Sequence, residues 1–184
     1  MSAARRPWAA ELLHFWFHRL RRGDWFGAGE AVDDELCRRF GPDLAMLRTR
    51  PAQDFLGDPR TALAAVLLFD QVPRNVRRGT AEAFAGDRLA REIARGIMAR
   101  GWYLRLSAAE REFVAMPLMH SEAIADQLDS LAAFVRLGPR HGLPYARSHY
   151  RMIARFGRFP HRNEVLCRVS TAAELRAIAY GFVW

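Results

Sequence analysis

The chain contains no lysine: all 28 of its basic residues are arginine. That absence excludes chemistry. Without a lysine side chain no Schiff base to a substrate or a pyridoxal cofactor can form. The GxxxxGK[ST] phosphate loop is excluded as well. Cysteine is scarce. Cys37 and Cys167 stand alone and far apart, too few for a disulfide framework or a zinc knuckle, which points to a reducing, cytoplasmic setting. The GxSxG elbow, the HExxH helix and the CxxC pair are all missing, and with them the common serine-hydrolase and zinc signatures. No cofactor and no metal site is expected.

Long apolar runs are missing too. The opening "MSAARRPWAAELLHFWF" is basic, but Glu11 and His14 break its apolar stretch, so it reads as neither signal peptide nor membrane span. No run alternates apolar and polar residues between turn signals, which argues against β-structure. What remains is an all-α pattern. Of the 184 residues 51% are hydrophobic and 11% aromatic, enough for one domain, residues 1–184, with a real core. The formal charge of +8 raises the question of nucleic acid. No recognisable binding module accompanies it, and arginine is simply this chain's one surface cation, so neither nucleic acid nor membrane is expected as a partner.

Helical periodicity dominates. Trp8, Leu12, Phe15, Trp16 and Leu20 share one face of a first helix. A second carries Val32, Leu36 and Phe40 and is expected to end at Gly41-Pro42. "DPRTALAAVLLFDQVP" places Asp58 as N-cap, Pro59 at the first helical position and Pro73 as its stop. Leu89, Ile93 and Ile97 define a helix closing on Gly101. "SAAE", from Ser107, is a capping box, and Pro117 kinks or ends the helix it starts. Ile124, Leu128, Leu131 and Val135 form one stripe before Gly138. Tyr145, His149, Ile153 and Phe156 precede Gly157, and "TAAE" from Thr171 is a second capping box for Leu175 and Ile178. The expectation is roughly seven to nine helices joined by short loops.

"FDQVPRNVRRGTAEA" and "FGRFPHRNEVLCRVSTAAE" share an order of features: Phe, Pro, Arg-Asn, a further Arg, then Thr. Such an echo suggests two related helix–corner–helix units, as in helical repeats. Together with "MPLMHSEAIADQ", "LLHFWF" and "DWF" at Asp24–Phe26, these segments resemble, in order and spacing, the signatures of the bacterial DUF924 family, a domain of unknown function. The resemblance covers nearly the whole chain, although Phe40–Gly57 matches poorly. It implies a tetratricopeptide-like helical-repeat bundle and no particular activity. This chain departs from the pattern at Val72, where Phe is usual, and at Cys167, where Gly is usual. Gly at the latter position would serve a left-handed backbone.

Three polar clusters are candidate chemistry. In "FDQVPRN", Asp70 and Gln71 fall in the expected last turn of a helix, where a carboxylate opposes the dipole and needs compensation. Arg74 or Arg78 is the obvious partner, with Asn75 free to satisfy loose carbonyls; either this is a brace or it faces a ligand. In "MHSE", Ser121 is placed to cap the next helix and Glu122 to sit in its first turn, followed by Asp126 and Gln127 as solvent-facing or bracing groups. His120 beside an apolar run reads as a neutral imidazole bonded to backbone. His120 and Glu122 point to different sides, so a metal would need His149 or His161 as well, and Ser121 is no nucleophile elbow.

The third cluster is the strongest. His149, Arg155, Arg158, His161, Arg162 and Arg168 fall within one short stretch with Asn163 among them. Arginine forks suit carboxylate or phosphate, and a helix start at Thr171 adds N–H donors. If the bundle brings the three clusters together, they line one polar pocket. Three readings follow: a domain binding a peptide or small anionic ligand; an enzyme on a phosphorylated or carboxylated metabolite, with His120 or His161 and Glu122 as acid–base candidates; or a buried salt-bridge network that only fixes the last helices.

Overall fold

A computed structural model describes residues 7–27 and 29–181, and all regular structure among them is helical. The basic residues of the opening stretch, Arg5 and Arg6, lie outside the described residues. The helices are α1 (Pro7–His14, running on as a π turn Phe15–Arg19), α2 (Arg22–Gly27), α3 (Glu30–Leu47), α4 (Pro59–Val66), α5 (Val72–Val76), α6 (Asp87–Ala99), α7 (Ala108–Met119), α8 (Ile124–Leu137), α9 (Leu143–Phe156) and α10 (Ala172–Ala179). A π turn at Leu67–Gln71 joins α4 to α5 in one rod. Counted so, nine helices are present among the described residues.

Two rods form the centre. Every residue of α4 from Thr61 to Val66 is buried, as is α7 from Glu112 to Met119. A helix that is apolar nearly all round must be enclosed on every side. Helix α1 packs on α4, α6 on both α4 and α7, and α8 and α9 continue from α7 as an antiparallel pair. Leu12, Phe15 and Trp16 of the first helix bury the face that the sequence marks, against Phe40 and Phe113. A satellite cluster of Met152, Ile153 and Phe159, with Phe156 against it, closes the far end.

The expected caps are present. Asp58 accepts from the N–H groups of Arg60 and Thr61, and Ser107 and Thr171 each close a reciprocal capping box with Glu110 and Glu174. Gly101 and Gly157 follow their helices with φ of 68° and 70°, the left-handed geometry that ends a helix without a Cβ penalty. Gly138 ends α8 with φ of 89° in an extended conformation open to glycine.

Pro42 and Pro73 do not stop their helices where the sequence suggests, and Pro117, expected to kink or end its helix, does not end it. Pro42 lies inside α3 on its exposed side, where the carbonyl it leaves unbonded can be hydrated. Pro117 lies inside α7, which ends only at His120. Pro73 is carried by the π turn before it. Val72 N–H bonds back to Leu67 O, five residues rather than four, and the widened turn makes room for a ring that would otherwise strike the Phe69 carbonyl. Asp70 therefore sits mid-rod, not in a last turn.

Helix α8 reverses its expected orientation. Of the expected stripe Ile124, Leu128 and Val135 are exposed and only Leu131 packs partly against the core, while Asp126, Gln127, Ser130, Ala133 and Phe134 are buried. The polar groups win because each has a partner. Gln127 donates to the carbonyls of Met119 and Ser121, capping the end of α7, and Asp126 takes Ser121 Oγ–H, Arg95 and Arg91. The two echoing segments also differ: Pro73 continues a helix, whereas Pro160 opens a single 3-10 turn after Gly157. No described helix is long and apolar enough to cross a membrane.

Candidate functional site

A cavity of about 690 Å³ opens between the α4–α5 rod, α7, α9 and the Pro160–Arg162 turn. It gathers residues from all three sequence clusters: Gln71, Arg74, Asn75 and Arg78 from the first, His120 from the second, and His149, His161 and Arg162 from the third. Asp70 lies directly beneath this lining, fully buried.

The π turn and α7 bring Asp70 and His120 together. His120 Nδ1 is 2.8 Å from Asp70 Oδ1, so the expected imidazole–backbone bond is replaced by an imidazole–carboxylate bond. Arg74, one turn along from Asp70, reaches the same oxygen at 3.2 Å and the Asp70 carbonyl at 2.6 Å. Gln71 Nε2 donates to Oδ2 at 2.5 Å. Burial pushes the Asp70 carboxyl up, but the Arg74 guanidinium and the His120 imidazole outweigh it and hold the group at about 2. Burial and Arg74 push His120 down despite Asp70. At neutral pH the pair is thus a carboxylate and a neutral imidazole. A carboxylate only accepts, so Nδ1 carries the proton and Nε2 is left as a base.

Burial likewise lowers His149 to about 3 and His161 to about 4, helped by neighbouring positive charge. His149 Nδ1 donates to the Tyr145 carbonyl at 2.9 Å, and its ring lies 6.2 Å from that of His120. Three neutral imidazoles therefore face one cavity.

Arg162 is a thinly compensated charge of the site. It is buried, with its guanidinium 4.5 Å from the ring centres of both Phe84 and Phe159. Among the described residues its one charged contact is Nη1 to Asp87 Oδ2 at 3.3 Å, and its Nε has no hydrogen-bond partner. Burial and the nearby Arg74 cation lower it to about 10. Asp87 is shared, since Arg74 Nη2 also donates to Oδ2, at 2.9 Å. Asp87 itself is placed by a close approach: a Cβ on Gly86 would lie 2.2 Å from Phe69 O, so only glycine lets α6 start beside the π turn.

Apart from the "DWF" stretch, the cavity's other end is built from residues with no strong sequence signal. Glu112 is fully buried, bound by Arg22 at 3.1 and 3.2 Å and by His141 at 3.0 Å. Trp25 and Phe26, within the "DWF" stretch, stand beside the Arg22 guanidinium. Between the two ends the walls are Phe84, Met116, Met119 and Phe134. The alternation of one buried acid within "EREFVAMPLM" is the sole hint the sequence carried of Glu112.

The remaining sequence candidates are placed elsewhere. Glu122 precedes α8 rather than lying in its first turn; it accepts Phe159 N–H at 2.8 Å and both Nη groups of Arg168 at 2.8 and 3.0 Å. Arg168 also reaches the Phe159 carbonyl. Arg158 makes a two-point bond to Glu174 and one to the Val169 carbonyl. Asn163 donates to Ser170 Oγ at 3.0 Å. Arg155 lies over the Phe156 ring in a separate groove between α9 and α10. Ser121 does not cap α8, whose N-cap is Ala123; it binds Asp126 and accepts from Ala123 N–H. Arg78 pairs with Asp33, not Asp70, while Asn75 donates to the Gln71 carbonyl and accepts from Arg78. These groups fasten corners: Glu122, Arg155, Arg158, Asn163 and Arg168 do not line the cavity. Among the described residues no group of three or more His, Cys, Asp or Glu side chains is arranged to hold a metal ion.

Similarity to other proteins matches this architecture. No curated protein matches the chain. A solved structure of a protein of unknown function from Agrobacterium tumefaciens superposes with a TM-score of 0.90 at 34% identity, over 98% of this chain and 100% of that one. The family profile "Bacterial protein of unknown function (DUF924)" matches residues 12–181. The chain therefore belongs to the bacterial DUF924 family.

Proposed function

We propose that the cavity binds a small molecule with an anionic head and an apolar body. The single observation carrying this reading is Arg162. A buried guanidinium with five N–H donors and one long ionic contact is a charge awaiting a partner. The Arg74 cation stands beside it, and the walls beyond are aromatic and thioether side chains. A volume of about 690 Å³ suits a metabolite-sized ligand. A folded peptide segment would not fit inside it, which favours the small anion over the peptide. Fold-fixing alone accounts for Arg158 and Arg168, each of which makes a two-point ion pair with a carboxylate and reaches a carbonyl, even though Arg168 Nε is left unpaired. It does not account for an open cavity beside an under-paired cation.

The test compares octanoate and phenylacetate with octanol and phenylacetamide as ligands in thermal-shift and calorimetric titrations. The carboxylates are expected to bind and raise the melting temperature, and the neutral analogues to bind at least tenfold more weakly. Equal binding of acids and neutral analogues, or no binding of either, contradicts the reading.

A second reading, catalysis, is favoured by one specific feature: a histidine whose tautomer is set by a buried carboxylate inside a ligand-sized cavity.

A further inference from the structure

We propose that the Asp70–His120 end of the cavity is a one-base proton-transfer site, in which His120 takes a proton from the carbon beside the ketone of a 2-oxo acid. The inference rests on the ligand reading above and names the substrate class for that same cavity.

The choice of reaction follows from what faces the cavity. Among the described residues its lining holds no Ser, Thr, Cys, Lys or Asp, and its one tyrosine, Tyr145, is mostly exposed, which leaves covalent catalysis without its commonest nucleophiles. Glu112 lines the far end but is tied to Arg22 and His141. His149 and His161 are neutral at neutral pH, so neither supplies an imidazolium acid to a leaving group. As bases those two are weakened by burial and neighbouring positive charge, whereas His120 has a carboxylate on its ring. Asp70 accepts a hydrogen bond from His120 Nδ1–H, while Gln71 and Arg74 hold the carboxylate in place. Nε2 is the ring nitrogen that remains.

A single base suits a reaction in which the proton leaves and returns. The substrate C–H bond breaks, the proton passes to Nε2, and the electron pair forms the carbon–carbon double bond of an enolate with its charge on the former ketone oxygen. The imidazolium then gives the proton back to carbon or to that oxygen. Nothing is oxidised or reduced and no co-reactant is consumed. Arg162 and Arg74 supply positive charge for the carboxylate and for the charge that develops. A plain carboxylic acid holds its neighbouring C–H too tightly for an imidazole. The ketone of a 2-oxo acid loosens it, and an apolar side chain then meets Phe84, Met116 and Met119.

The experiment uses phenylpyruvate and 4-methyl-2-oxopentanoate as probes in D₂O. Proton NMR follows loss of the CH₂ signal, and calorimetry measures binding in parallel. Wild type is expected to exchange the CH₂ protons well above the buffer rate. Loss of a positioned base costs at least about a hundredfold, so His120→Gln should bind the probes and lose about that factor. Asp70 is a positioning residue. The rate should fall with acidification through a pKa below that of free imidazole, and Asp70→Asn should move that limb further to the acid side, because the carboxylate raises His120. If His120→Gln fails to fold, the wild-type pH profile decides: a rate independent of pH overturns the inference. Probes that bind but exchange at the buffer rate overturn it while leaving the ligand reading intact. Probes that do not bind at all contradict the ligand reading and the inference with it.

Discussion

Cys167 has φ of +54°, the one positive value at a non-glycine position among the described residues. An L side chain in that region costs about 1–2 kcal/mol, and the thiol is exposed and gains nothing by burial. Cys167→Gly should therefore stabilise the protein by about 1 kcal/mol, raising the melting temperature by about 2–4 °C. A calorimetric scan showing a lower melting temperature would mean that the side chain makes an interaction the geometry does not show. This position was legible from the sequence, because glycine is usual in the pattern that the chain otherwise resembles. His120 was legible as a candidate but not in its partner. Asp70 lies fifty residues away, and no local rule couples the two. The same holds for Arg158 and Arg162. They sit four apart in one motif with identical chemistry, yet one is spent on Glu174 and the other faces the cavity.

At the scale of elements, caps and glycine stops were readable because they are local: Asp58, Ser107, Thr171, Gly101 and Gly157 act on backbone within a few residues. Prolines misled because their effect depends on what surrounds them. A π turn absorbs Pro73, and solvent absorbs Pro42. Helix α8 misled for a different reason: periodicity cannot tell an apolar stripe facing out from one facing in when the opposite face holds Asp126 and Gln127 with buried partners. The junction between the π turn and α6 is the element contact on which the site depends. Gly86→Ala would place a methyl within 2.2 Å of the Phe69 carbonyl and push Asp87 away from Arg74 and Arg162. The expected loss is about 3 kcal/mol by denaturant titration, together with weakened ligand binding. Full retention of both would show that α6 can shift freely at this point.

For the whole molecule, burial of neutral histidines ties stability to pH. His149 and His161 titrate at about 3 and 4 in the folded protein and at 6.5 when free. Between pH 6.5 and pH 4 the unfolded chain therefore binds more protons than the folded one, and stability falls as pH falls. Each group contributes a slope of up to about 1.4 kcal/mol per pH unit in that window. Asp70, held at about 2, adds its own loss only at still lower pH. Urea titrations across the window should show this slope, and His149→Gln should flatten it; a flat wild-type profile would mean that the imidazoles are not buried as described. The all-α class was visible in the sequence, and the three polar segments were visible as candidates whose convergence the sequence could pose only as a condition. The cavity was not, because it is a space between α7, α9 and the α4–α5 rod rather than a property of any segment.

The account turns on Arg162 as the cation that a ligand's anionic head satisfies. Isothermal titration of phenylacetate into wild type and into Arg162→Met tests it most directly. A charged hydrogen bond is worth roughly 1.5–3 kcal/mol, so the variant should bind about ten- to a hundredfold more weakly while remaining folded. Undiminished affinity in the folded variant would contradict it.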